Sequence, residues 1–425
     1  MALIAVLIAG YALVAARLDR ISLGSALAFV VIGFVLSDDV FGPLSIDPDT
    51  EAVKVLAEAT LTLLLFADAS SLRARALSRD AVPIARLLAF GLPLTILAGV
   101  LLVLGLFPGI PFGIALLIAA ALAPTDAALG QPVVTNKAVP ARIRRVLNVE
   151  SGLNDGIATP IVFLALALTA AETTGGSHWI ADALVQAVIG VGVGIGLGML
   201  GGYLLQLADS RRWTSALSRQ LFVLALAASC YLVALAVGGT GFIAAFVGGL
   251  AFGLGSSGRE ETAVRFTETQ GSLLAIGVWT AFGLTLAGEL FSTLGNPQVV
   301  AYAVLSLTVI RMVPVAISLI GARFKPITVL FIGWFGPRGL ASIVFLIIGL
   351  EGLSEAGVDT GPLAAVVAWT VLLSVVLHGL TAGPLAAWYG RRMASLAPDA
   401  PEFDGPDPEA SRLSWAAHHR IEPKG

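Results

Sequence analysis

The stretch Ala119-Ala120-Ala121-Leu122-Ala123-Pro124-Thr125-Asp126 closes an apolar run that begins near Ile110. Proline has no amide hydrogen with which to continue a helical ladder, and its ring obstructs the preceding turn, so a helix reaching Ala123 is interrupted there. A second interruption, Gly333-Trp334-Phe335-Gly336-Pro337-Arg338-Gly339, cuts a later apolar run that begins near Ile327. Backbone groups freed inside a bilayer are tolerable only around a polar cavity. Two such breaks at corresponding places in two halves of a chain point to that cavity as a binding site.

Whether the breaks correspond is a matter of counting. Thirteen apolar segments begin near Met1, Ile21, Ala52, Leu87, Ile110, Val149, Trp179, Gln220, Gly241, Leu273, Val299, Ile327 and Leu363. The breaks fall in the fifth and the twelfth. If segments 1–6 and 8–13 form two six-helix halves joined by segment 7, each break lies in the fifth helix of its half. Helices 1 and 8 then run in opposite directions, so the halves are inverted repeats, a transporter signature. The fold class expected is an all-α polytopic membrane protein of about 13 transmembrane helices.

Composition agrees. Of the 425 residues, 57% are hydrophobic and 12% charged, against about 25% charged in a soluble domain, and the mean hydropathy is +0.91. A water-soluble fold is excluded. The net charge of −3 suggests no nucleic-acid partner, and the single cysteine, Cys230, excludes an intrachain disulfide or a Cys-based metal site. Met1 to Ala16 lacks a basic leader and a clear small-residue cleavage site, and reads as a retained first span. Cytoplasmic loops collect Lys and Arg. All 25 Lys and Arg except Lys54, Arg311 and Arg338 fall in the loops after segments 1, 3, 5, 7, 9 and 11 or in the tail, which places the N-terminus outside and the C-terminus in the cytoplasm. Pro398 to Glu409 is rich in Pro and Asp and reads as a disordered cytoplasmic tail.

Charges inside spans are costly, so each is a functional candidate. The densest group is Asn148-Val149-Glu150-Ser151-Gly152-Leu153-Asn154-Asp155. Ser151 and Asp155, at i and i+4, share a helix face. With Asp126 and the carbonyl of Thr125 they form an oxygen-rich shell suited to a hard cation; the alternative is an ion-paired packing cluster. Glu58, in the middle of segment 3, reads as a packing acid or a candidate access-path residue. His378 reads as a helix–helix hydrogen bond, and the glycine-rich run Gly190 to Gly202 as a close-packing face.

These motifs carry a resemblance. Ala123-Pro124-Thr125-Asp126, then Glu150-Ser151-Gly152-Leu153-Asn154-Asp155-Gly156, then Gly333 to Gly339, resemble the monovalent cation/proton antiporters, in the branch of bacterial and archaeal sodium/proton exchangers with an Asn-Asp pair. The likeness covers all thirteen spans. It implies a transmembrane antiporter domain over 1–392, with crossed discontinuous helices 5 and 12. Core helices at about 82–171 and 298–392 would move against a dimerisation panel at about 1–81 and 218–297, with a linker helix at 179–207 and the tail at 393–425. It implies a homodimer in the plasma or inner membrane, with no cofactor beyond the transported Na+ and H+. Asp155 would be the shared cation and proton carrier, completed by Asp126, the Ser151 hydroxyl and the Thr125 carbonyl. Asn154 would steady the unwound backbone, Glu150 would pair with Arg311, and Arg338 would compensate dipole ends. Asp68 falls where relatives carry a water-linked acid.

Rival readings differ at named features. An intramembrane aspartyl protease could also use Asp126 and Asp155, but it requires a Gly-x-Gly-Asp context that the chain lacks. A monovalent cation channel would need a carbonyl filter or a ring of acids. A K+/H+ exchanger differs only in selectivity, which the sequence leaves open along with direction and pH optimum. The reading adopted is exchange of Na+ (or Li+) for H+ by alternating access, for pH and sodium homeostasis. It is electroneutral at 1:1, because neither Asn154 nor Arg311 can release a second proton.

Overall fold

The proline at each interruption ends a helix where expected. A computed structural model of the chain describes residues 2–19, 24–42, 51–72, 74–176, 178–256, 260–293, 295–354, 360–396 and 400–403. Among these residues the structure is helical, with no strand. The first three apolar segments are α1 (Ala2–Asp19), α2 (Ser25–Leu36) and α3 (Glu51–Ser70). The fourth is α4 (Ala74–Arg86), a π turn at Leu87–Gly91 and α5 (Leu92–Leu106). Pro93 sits in the first turn of α5 and has no N–H for the carbonyl of Ala89, a natural place for the ladder to widen.

The fifth segment is α6 (Phe112–Leu122), which stops at Pro124, followed after the break by the single turn α7 (Gln131–Val134). α8 (Ala141–Thr174), α9 (His178–Ser210), α10 (Ala216–Ala236), α11 (Gly241–Gly255) and α12 (Glu261–Thr293) are the sixth to tenth. The eleventh is split at Thr308 into α13 (Pro297–Leu307) and α14 (Val309–Ser318). The twelfth is split into α15 (Pro326–Trp334) and α16 (Leu340–Ser354), and α17 (Gly361–Met393) is the thirteenth. Seven helices among the described residues are long and apolar enough to cross a membrane unaided. The shorter apolar helices include α6 and α16, the longer piece at each break, so the arrangement is consistent with thirteen spans.

α8 starts earlier than the apolar pattern indicates, at Ala141 and not near Val149. Its first turns carry Arg142 and Arg145, and both are neutralised by the buried carboxylate of Asp80 on α4, at 2.9 and 2.8 Å. The polar turns can therefore pack as helix. The cluster from Glu150 to Asp155 consequently lies in the interior of a long helix and not at its start.

The helices pack in two groups. α3, α9, α10, α11 and α12 enclose one apolar cluster around Phe66, Cys230 and Phe252, and α2 lies along α12. The glycines of α9 meet α11 so closely that a Cβ at Gly190, Gly194 or Gly198 would lie under 3 Å from the α11 side's backbone. The other group contains α5, α6, α8 and α13 to α17. A cluster around Ile143, Phe331 and Tyr389 joins α8, α15 and α17 of this group with Ile84 of α4, Val133 of α7 and Val315 of α14. The groups meet where α8 touches α3, α9 and α11, where α16 touches α3 and α12, and where α17 touches α2 and α12.

Of the expected disordered tail, residues 400–403 are described, and these are packed, not loose. Pro401–Phe403 form a 3-10 turn with Glu402 fully buried. Residues 397–399 and 404–425 lie outside the described residues.

Candidate functional site

The two breaks meet. Asp126 N donates to Pro337 O at 2.7 Å, and Arg338 Nη1 reaches back to Ala123 O at 2.6 Å and Pro124 O at 3.2 Å. Asp126 does the converse, accepting the amide of Leu340, the first residue of α16, on Oδ2 at 2.8 Å. A helix C-terminus carries partial negative charge and an N-terminus partial positive charge. Each link therefore lends its ionised side chain to the cut end of the other helix: a guanidinium to the carbonyl end of α6, a carboxylate to the amide end of α16. Arg338 is completely buried and is charged at any physiological pH, so these carbonyls and that of Ser306, at 3.5 Å, take the place of water.

Asp126 also accepts Ala128 N at 2.7 Å and Leu129 N at 3.2 Å on Oδ1. With three amide donors it holds its own link as well as the crossing. The crossing leaves no room for side chains beside it. A Cβ at Gly339 would fall 2.0 Å from Asp126 Oδ2, and one at Gly336 would fall 2.4 Å from Arg311 Nε. The two glycines of the second link are what let Asp126 and Arg311 occupy their places.

α8 supplies the third wall. Asn154 Nδ2 donates to Thr125 Oγ1 at 2.7 Å, and Thr125 Oγ1 lies 2.9 Å from Ser151 Oγ. All three are buried. Asn154 was expected to hold unwound backbone; it reaches the first break through the Thr125 side chain instead. Asp155, one turn beyond Ser151, is half-buried. Asp126, Asn148, Ser151, Phe335 and Pro337 line a cleft with about 240 Å³ of empty space, extending past Val134 of α7. Hydroxyl, carboxylate and amide oxygens facing one cleft are hard-cation ligands.

Glu150 and Arg311 form a two-point pair, Arg311 Nη1 to Glu150 Oε1 at 2.6 Å and Nη2 to Oε2 at 2.8 Å. Both residues are 2% exposed. The parallel geometry is the one in which an Arg–carboxylate pair is strongest.

Asp155 is not among the residues that line the cleft, and two further sequence candidates lie on α3. Glu58 is half-buried on α3 and hydrogen bonds Tyr231 of α10. Asp68 is half-buried near the end of α3, and neither residue lines the cleft. Sequence reasoning did not find the role of Asp80, nor the pair of Lys54 with Glu351 that links α3 to α16 at 2.5 Å. The available signal for Asp80 was an acid beside a loop otherwise rich in arginine. Among the described residues no group of three or more His, Cys, Asp or Glu could hold a metal ion.

A fold of inverted, broken helices crossing at ionised side chains defines a multi-pass membrane transporter. Residues 3–388 match the family model described as sodium/hydrogen exchanger, transmembrane, and the chain belongs to that family. It is 26% identical over 319 residues to a Na(+)/H(+) antiporter of Schizosaccharomyces pombe, covering 67% of this chain and 66% of that one. It is 28% identical over 352 residues to Na(+)/H(+) antiporter 2 of Zygosaccharomyces rouxii, covering 76% and 42%. It is 25% identical over 410 residues to the K(+)/H(+) antiporter NhaP of Alkalimonas amylolytica, covering 95% and 68%. The chain thus spans from about two fifths to just under two thirds of these yeast relatives. Its fold is similar to that of the sodium proton antiporter MjNhaP1 from Methanocaldococcus jannaschii at pH 8, with a TM-score of 0.72 at 18% identity, covering 89% of this chain and 98% of that one.

Proposed function

We propose that the chain exchanges Na+ (or Li+) for H+ across a membrane, one for one, by alternating access. The observation that carries this reading is the meeting of both helix breaks with each other and, through Thr125, with Ser151 and Asn154 of α8, beside a cleft onto which Asp126, Asn148 and Ser151 face. Membership of the exchanger family and the antiporter activity named for the relatives support it. Asp155 carries either a cation or a proton. Asp126, the Ser151 hydroxyl and the Thr125 carbonyl complete the cation shell, and Glu150, Arg311, Arg338 and Asn154 hold the frame. An empty carboxylate is costly to move through an apolar barrier, so only the loaded carrier crosses, and the two ions exchange.

The group of α5, α6, α8 and α13 to α17 is the moving core, and the other group is the panel on which two copies associate. With the N-terminus outside and the C-terminus cytoplasmic, the cleft past α7 opens inward. The Lys54–Glu351 bridge then closes the outer side between panel and core. Reconstitution into liposomes with a pH-sensitive dye tests the reading. Under an imposed pH gradient, Na+ or Li+ should release protons. A response to K+ alone would assign the selectivity named for the Alkalimonas relative, and cation flux without proton movement would indicate a channel.

A further inference from the structure

The second broken helix is held from behind by a stripe on α17. Ser374, His378 and Thr381 lie at i, i+4 and i+7, one face of the helix. Ser374 Oγ accepts the amide of Arg338 at 2.6 Å. His378 Nε2 lies 2.9 Å from Trp334 O, the last residue of α15. Its Nδ1 lies 3.2 Å from Ser374 Oγ and 2.9 Å from Ser374 O. Thr381 Oγ1 accepts the Trp334 indole at 3.1 Å. Ser374 and His378 are at most 1% exposed.

The hydrogens can be assigned from the partners. A neutral imidazole donates from one nitrogen and accepts at the other. If Nδ1 carried the hydrogen, the lone pair of Nε2 would face the Trp334 carbonyl. The other tautomer sets the Nδ1 lone pair against the Ser374 carbonyl, also at 2.9 Å, but it keeps the bond across to α15 and lets the Ser374 hydroxyl donate to Nδ1. Nε2–H donates to Trp334 O, Nδ1 accepts the Ser374 hydroxyl hydrogen, and the Ser374 oxygen accepts the Arg338 amide. One connected chain then runs from the Trp334 carbonyl at the near edge of the gap to the Arg338 amide inside it.

That gap is the one that holds Asp126. Inside it the carbonyl of Pro337 accepts Asp126 N, and at its far edge the amide of Leu340 binds Asp126 Oδ2. Those contacts are single hydrogen bonds, and they keep their lengths only if the link keeps its shape. We propose that Ser374 and His378 are positioning residues: from α17 they hold the near edge of the gap in the second broken helix and the Pro337–Arg338 peptide inside it, and so fix where Asp126 sits. The transport consequence rests on the exchange function proposed above; the clamp itself does not.

The test uses the full chain and two substitutions of His378. His378→Gln retains an amide that can donate to Trp334 O, whereas His378→Leu keeps the bulk and removes the bond. Amide hydrogen exchange, read by mass spectrometry on peptides spanning 333–340, should accelerate about tenfold in His378→Leu and in Ser374→Ala, and stay within about twofold of wild type in His378→Gln. In liposomes His378→Leu should raise KM for Na+ about tenfold with kcat nearly unchanged, and His378→Gln should restore it. Unchanged amide exchange in His378→Leu, a His378→Gln variant no better than Leu, or faster exchange with an unaltered KM overturns the proposal. A wild-type protein that exchanges no cation for protons removes the proposed function, and the amide measurement still decides the clamp. If His378→Leu does not fold, Ser374→Ala carries the same comparison.

Discussion

Asp126 and Arg338 cap each other's helices: the carboxylate holds the amide of Leu340, next but one to Arg338, and the guanidinium holds the carbonyl of Ala123, three residues before Asp126. The neutral isostere cannot repeat this. In Asp126→Asn one oxygen becomes an NH2 group, which faces either Leu340 N or the amides of Ala128 and Leu129. A buried donor without an acceptor costs about 1–3 kcal/mol. The expected outcome is a lower melting temperature in detergent together with a raised KM for Na+. A melting temperature equal to wild type would mean that the crossing does not depend on these bonds.

Arg311→Ala is expected to lose stability before it loses chemistry. It leaves Glu150 as a buried charge with no counterion, and breaking a buried pair costs roughly 3–5 kcal/mol. Replacing both partners, Glu150→Gln with Arg311→Gln, removes the stranded charge and should recover part of the loss. The check is a thermal melt of the single and double variants. Equal, wild-type melting of both would show that the pair contributes nothing to stability.

Asp155→Asn should abolish both cation-driven proton release and cation binding. The amide can neither give up a proton nor offset the desolvation of a cation. Asp155 is not part of the Glu150–Arg311 pair, and the isosteric variant is expected to fold. Wild-type exchange by this variant in liposomes would remove Asp155 from the mechanism.

Exchange should move no net charge. The buried Asn154 amide donates to Thr125 and does not titrate, and Arg311 keeps its proton at any physiological pH. The rate should therefore ignore a membrane potential that otherwise contributes about 2.3 kcal/mol per charge per 100 mV. Addition of Na+ to proteoliposomes on a solid-supported membrane should give no sustained transport current; a current absent from Asp155→Asn would contradict the 1:1 stoichiometry.

The parts of this molecule that are legible in its sequence are those set by one residue's own chemistry. Pro124 and Pro337 cannot continue a helix wherever they stand, so both breaks are visible before any contact is known. Arg311 in an apolar run demands a buried acid, and it is the family resemblance that points to Glu150. What Asp126 binds is different in kind. Its partners are backbone amides, one of them more than two hundred residues away, and every residue but proline has such an amide. The same limit hides Ser374; the helix–helix hydrogen bond of His378 is legible, but its partner, the Trp334 carbonyl, is not. Asp80 shows the opposite failure: Arg142 and Arg145 follow the rule for cytoplasmic loops and also pair with a buried acid, so a pattern explained by topology conceals a structural bond.

The docked turn at Pro401–Phe403 gives the protein a natural place for a ruler. Its three holds are Arg142 Nη1 on Pro401 O at 2.6 Å, Lys325 N on Glu402 Oε1 at 2.8 Å and Thr328 Oγ1 on the same oxygen at 3.0 Å. They come from α8 and from the start of α15, the helices that line the cleft, and none comes from α9, α10 or α11. A dye attached just past Phe403 would thus travel with the cation site. Paired with a second dye on α9, it would convert sliding of one helix group along the other into a change in energy transfer, read during turnover without touching any residue that binds an ion.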